Sequence, residues 1–165
     1  MRLFVSLPLP PAVRAHLAAR LAGVRTTDIA QWHLTLAFLG EVGDPTPLRP
    51  GLAAAAAAAS PLRLQLRGGG SFPGVLWAAV AGDTVGLHAL AADVASACRA
   101  AGVPLEDRPY RPHVTVARRR RDPRRLEGYE GPTWVAGGVH LVRSSLEKTA
   151  RHQVLEVFPL GASTG

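Results

Sequence analysis

WHLTLAFLG, residues 32–40, reads as a strand with one anomaly: His33 and Thr35 interrupt a run of Leu, Ala and Phe. A strand alternates faces with a period of two, so His33 and Thr35 share one face while Leu34 and Leu36 share the other. The same count puts Phe38 with the leucines, in the core. Alone, this stretch is a buried strand holding a satisfied histidine. Eighty positions on (113 − 33 = 80), PHVTVAR at 112–118 repeats the pattern as His113, Val114, Thr115, Val116, Ala117. Two matched copies, one per half, point to a shared site instead.

Working outward, RLFVSL (2–7) alternates Leu3, Val5 and Leu7 against Arg2, Phe4 and Ser6, which predicts a strand. Pro10 and Pro11 suit the first turn of a helix, Val13, Leu17 and Leu21 recur every four residues, and Gly23 is its stop. Seven alanines at 53–59 predict a second helix, since alanine is the best helix former. LRLQLR (62–67) and GVLWAAVA (74–81) predict two strands, with GGGSFPG (68–74) as turn or loop between them. Leu87, Leu90, Val94 and Cys98 mark a long helix from Asp83 towards Ala101, ended by Gly102. After HVTV come an arginine-rich loop (118–128), a Gly-broken strand through VAGGVHLVRSSL (135–146) and a last strand, QVLEVFPL. Strands that neighbour each other in the chain argue for an α+β fold rather than a doubly wound parallel sheet. No low-complexity linker divides the chain, so residues 1–165 read as a single two-lobed domain.

The chain is 165 residues long, 47% hydrophobic and 19% charged, which is globular composition. Its net charge is +7, and Lys148 is its only lysine. Arginine recognises phosphate in a planar, bidentate way, so the excess fits a phosphate-bearing partner as well as it fits a GC-rich coding sequence. Cys98 is the lone cysteine, which rules out a disulfide framework and a CxxC metal site and makes it a packing residue. Neither a signal segment nor a membrane span is evident, so a cytoplasmic monomer with no membrane attachment is expected.

Two imidazoles facing one cleft are the minimum equipment for concerted acid–base catalysis near neutral pH. Two threonine hydroxyls beside them can donate to charge growing on non-bridging oxygens. A phosphodiester suits this pair, because in-line displacement places attacking and leaving oxygens on opposite sides of phosphorus. Zinc would need further ligands that neither motif supplies, and no GxSxG turn supports a serine nucleophile. His16 and His88 fall on helix surfaces and His140 in a strand, and all three read as solvated or packed. The competing reading is an RNA- or nucleotide-binding module without turnover. Arginine or lysine would serve binding better, since both stay charged at every relevant pH.

The paired HLTL and HVTV strands, the opening RLFVSLPLP and the ending LVRSSL…VLEVFPL resemble the two-histidine phosphoesterases. The resemblance runs from Arg2 to Leu160 and is strongest to the bacterial RNA 2′,3′-cyclic phosphodiesterases, the 2′-5′ RNA ligase family. It implies a bilobal, pseudo-duplicated fold with two antiparallel sheets flanking a central cleft and helices outside. It further implies hydrolysis of a 2′,3′-cyclic phosphate, on RNA ends or nucleosides, to a 2′-phosphate, with reversible 2′-5′ ligation and neither metal nor cofactor. By position His33 would be the acid towards the 3′-oxygen and His113 the base, although the labels exchange for the reverse reaction. Thr35 and Thr115 would hold the phosphate, with Arg118 adding a positive contact. Phe4 and Tyr110 are candidates to contact base or ribose, and the arginines of 118–125 for an RNA backbone track. His152, in KTARHQ, stands where relatives carry a tyrosine, which leaves its role open. The same chemistry on 2′-5′ oligonucleotides or an ADP-ribose cyclic phosphate fits equally well.

Overall fold

The structure is a computed structural model that describes residues 1–118, 122–145 and 151–161. Its strands are β1 (Arg2–Pro8), β2 (His33–Glu41), β3 (Leu62–Phe72), β4 (Val75–Gly82), β5 (His113–Arg118), β6 (Glu130–Ala136), β7 (Gly138–Ser144) and β8 (Gln153–Pro159). Its α-helices are α1 (Pro11–Arg20), α2 (Arg49–Ala58) and α3 (Thr84–Ala100). The strands form two four-stranded antiparallel sheets, ordered β2-β1-β7-β8 and β5-β4-β3-β6. The α+β, two-sheet expectation therefore holds. Each motif strand is an edge strand: β2 follows β1 through α1, and β5 follows β4 through α3.

Alternation puts Leu3, Val5 and Leu7 of β1, Leu34 and Leu36 of β2, and Val139 and Leu141 of β7 into the core. They join Leu64, Leu66, Leu76, Val114 and Val116 of the second sheet in a single cluster. Helix α3 packs against β2, α2 against α3 and β8, and α1 against β6. Each fully buried leucine contributes roughly 1.5–3 kcal/mol, so the motif strands are pinned by their apolar faces. Cys98 is fully buried on α3, as its spacing indicates, and burial pushes its thiol up to about 11.

The structure corrects three expectations. GGGSF is strand, not loop: β3 runs on to Phe72, pairing Gly69 with Ala78 and Gly70 with Trp77, and only Pro73 and Gly74 turn. Glycine is needed here because a Cβ on Gly69 would lie 2.4 Å from the Trp77 carbonyl oxygen, and one on Gly70 2.6 Å from the Trp77 ring. The stretch through VAGGVHLVRSSL is two strands, not one. β6 is the edge of the second sheet beside β3, β7 lies inside the first between β1 and β8, and the chain changes sheets at Gly137.

Phe38 is the third correction. It is 54% exposed, with the Arg2 guanidinium 5.4 Å from its ring centre. The β1–β2 register slips between Leu3 and Phe4 and again between Val5 and Ser6. Such a bulge reverses the alternation beyond it, so Phe38 lines the same cavity as His33 and Thr35.

Candidate active site

The two edge strands that carry the motifs contact one another, and hydrogen bonds tie the sheets there, among them one from the Thr27 hydroxyl to the Val116 carbonyl at 3.2 Å. Thr27 donates its backbone N–H to the Val116 carbonyl at 2.9 Å, and the Tyr110 hydroxyl donates to the Thr35 carbonyl at 2.7 Å. The buried Trp32 indole donates to Thr27 Oγ1 at 3.0 Å, which fixes the residue immediately before His33.

Both motif histidines are half-buried and held alike. His33 Nδ1 lies 2.8 Å from the Gln31 carbonyl, and His113 Nδ1 lies 2.6 Å from the Arg111 carbonyl, each two residues upstream. A carbonyl only accepts, so Nδ1 carries the proton in both rings and Nε2 is left for chemistry. His33 Nε2 is 3.0 Å from Thr35 Oγ1, and in this tautomer the hydroxyl donates to the ring. His33, Thr35, His113, Thr115 and Arg118 line one cavity of about 410 Å³. The sequence-derived pair, both threonines and the arginine thus converge.

Burial lowers the proton affinity of His33 below the ordinary imidazole value. The Gln31 hydrogen bond opposes that effect, while His152 and His113 add to it as like charges. In the free protein His33 therefore favours its neutral form.

Both candidate base contacts are engaged by neighbouring residues, although Phe4 lines the catalytic cavity. Phe4 is buried and stacks on the His33 ring, with centroids 4.6 Å apart and planes at 23°, so one face is already occupied. Tyr110 spends its hydroxyl on Thr35 and packs its ring against His88 at 5.4 Å; burial pushes its phenol far above the usual range. Of the arginine run, residues 119–121 lie outside the described residues. Arg124 pairs with the Asp122 carboxylate at 3.1 Å, and Arg125 donates to the Ala22 carbonyl at 2.6 Å, so both hold the local chain. Arg118 alone among the described arginines of that run lines the cavity.

Sequence reasoning missed Arg2, which lines the same cavity. The signal was present, since alternation puts Arg2 on the face of Phe4, and that face proves to be the cleft. It also missed a second cavity of about 440 Å³ beyond His33, bordered by Ser6, His140 and His152. His16, an expected surface histidine, shares a 2.8 Å hydrogen bond with the Tyr129 hydroxyl. Among the described residues, no helix is long and apolar enough to cross a membrane, and no group of three His, Cys, Asp or Glu is placed to hold a metal ion.

A family model described as the 2′-5′ RNA ligase superfamily matches residues 9–134. The chain belongs to that superfamily. It is 36% identical over 189 aligned positions to the RNA 2′,3′-cyclic phosphodiesterase of Thermus thermophilus, covering 100% of this chain and 93% of that protein. It is 31% identical over 185 positions to the RNA 2′,3′-cyclic phosphodiesterase of Geobacillus stearothermophilus, covering 98% of this chain but only 58% of that relative's length. A crystal structure from Thermus thermophilus superposes with a TM-score of 0.82 at 33% identity, covering 99% of this chain and 100% of that one. Escherichia coli LigT complexed with 3′-AMP gives 0.79 at 25% identity, covering 96% and 97%. The superfamily match accounts for the two-sheet fold, and both motif histidines fall within its matched residues.

Proposed function

We propose that the protein is a metal-independent RNA 2′,3′-cyclic phosphodiesterase that opens the cyclic phosphate to a 2′-phosphate. The observation that carries this reading is the pair of equivalently tethered imidazoles lining one cavity, each with Nε2 free of the backbone. Relatives named for this activity, and a LigT structure holding 3′-AMP, support the substrate class.

The cyclic phosphate occupies the cavity between His33 and His113. One neutral Nε2 takes a proton from water as its oxygen bonds to phosphorus. The other, protonated, gives a proton to the 3′-oxygen as the P–O3′ bond breaks. Oxygen and proton balance without a third reactant, and ligation is the same opening with a 5′-hydroxyl in place of water, the P–O3′ bond again breaking, so that cleavage of a 2′-5′ linkage retraces it with the roles exchanged. Thr35 and Thr115 donate to the non-bridging oxygens, and Arg118 with Arg2 offsets their charge. When phosphate arrives, the Thr35 hydroxyl turns from His33 Nε2 to the substrate. Phe4 supports the His33 ring from behind instead of presenting an open face to a base. RNA ends and nucleoside cyclic phosphates share this chemistry, as do 2′-5′ oligonucleotides and an ADP-ribose cyclic phosphate.

Turnover of a nucleoside 2′,3′-cyclic phosphate by the purified chain, compared with His33→Ala and His113→Ala, tests the reading. Each variant should lose about 10²-fold or more while still binding 3′-AMP. Binding without turnover in the unaltered chain would favour a recognition module instead.

A further inference from the structure

The two motifs are near-copies, and their tethers match: each imidazole gives Nδ1–H to a carbonyl two residues upstream. Their surroundings differ. His113 meets the rings of Phe72 at 5.6 Å and Trp77 at 6.0 Å, neither of which titrates. His33 lies nearly face to face on Phe4 and meets a third imidazole, His152, edge-on, with centroids 5.3 Å apart and planes at 74°. His152 also packs edge-on against Phe4 at 5.0 Å, so Phe4, His33 and His152 form a closed trio of rings. His152 immediately precedes β8 and borders both the catalytic cavity and the second one.

We propose that His152 is a positioning residue that makes the two matched histidines unequal, by fixing the plane of His33 against Phe4 and by competing with it for a proton. Its purpose rests on the reaction proposed above, although its central test does not. Two imidazoles this close do not both carry charge readily, so their titrations are coupled and belong to the pair.

The other charged and titratable groups that border these cavities bear on the direction. From β1 comes Arg2, from β5 come His113 and Arg118, from β7 His140, from α1 Arg14, and next to His152 stands Arg151. The four arginines among them oppose further positive charge. Burial lowers the proton affinity of His152, and Asp28, ahead of β2 and the one carboxylate bordering either cavity among the described residues, opposes that effect. The shared proton is thereby drawn off His33, whereas the rings beside His113 are those of Phe72 and Trp77. Concerted catalysis needs one neutral and one protonated ring at the same pH, and this asymmetry supplies the difference that two identical motifs lack.

The test is a histidine NMR titration of the full chain without substrate, for the unaltered protein, His152→Gln and His152→Tyr. Tyrosine keeps a ring against Phe4 but carries no charge in this range. In both variants the His33 midpoint should rise towards the ordinary imidazole value of 6.5 as the neighbouring like charge is removed. The spread of its titration should narrow, with only the coupling to His113 remaining. An unchanged or lowered His33 midpoint in both would overturn the proposal. In kinetics, the limb of the kcat/KM pH profile that belongs to His33 should move upward in His152→Gln while the other limb stays. Equal movement of both limbs, or of neither, would count against it. If the chain turns over no cyclic phosphate, the NMR result still stands, which separates this proposal from the reaction.

Discussion

At the scale of single residues, the account turns on what holds each imidazole. The carbonyls of Gln31 and Arg111 set the tautomers, and Thr35 holds His33 Nε2 at 3.0 Å until a phosphate displaces it. Thr35→Val should lower kcat by roughly 10²-fold, the scale of losing one preorganised donor, with a smaller change in KM, read from steady-state kinetics. A change confined to KM would place the hydroxyl in ground-state binding only. The motif residues were legible in the sequence because their signal is local: a period of two fixes the shared face, and a second copy makes chance a poor explanation. His152 was not legible as a neighbour of His33. Its approach depends on β8 pairing with β7 and β7 with β1, which no short window encodes.

At the scale of elements, helices were read closely, because helical spacing and proline or glycine stops are local chemistry. Strands were misread wherever glycine or a bulge broke the simple rule. Phe38 faces the cleft because the β1–β2 register slips, and slips leave no trace in alternation. GGG was taken for a loop because glycine disfavours strands, yet here close backbone approach demands it. Gly69→Ala should therefore cost about 1–3 kcal/mol of stability by forcing β3 from Trp77 and Leu126, measured by urea unfolding. Gly43→Ala, where a Cβ meets nothing within 4 Å, is the matched comparison and should change stability little. Equal effects at the two sites would contradict the close-packing account of β3.

At the scale of the whole molecule, the two sheets bring edge strands β2 and β5 together, and the cleft gathers histidines whose surroundings disfavour charge. His33, His140 and His152 all bind protons more weakly when folded than the ordinary imidazole value of 6.5, chiefly through burial. Below pH 6.5 the unfolded chain therefore takes up more protons at these sites than the folded one, and stability falls as pH falls. Asp44 and Asp122 have carboxyls held below their ordinary value of 3.8, so their stabilisation is lost only in more acid solution. Thermal unfolding should show a lower Tm at pH 5 than at pH 7, and an equal or higher Tm would contradict the burial account. The α+β class was legible from element order, whereas the sheet change at Gly137 was not, since one residue cannot announce which sheet the next strand joins. The central claim concerns bond making at phosphorus, and phosphorus NMR of a cyclic-phosphate-ended oligonucleotide, with EDTA present, tests it most directly. The account predicts complete conversion to a 2′-phosphate, abolished when both His33 and His113 are alanine; a 3′-phosphate product, or undiminished conversion by that double variant, would contradict it.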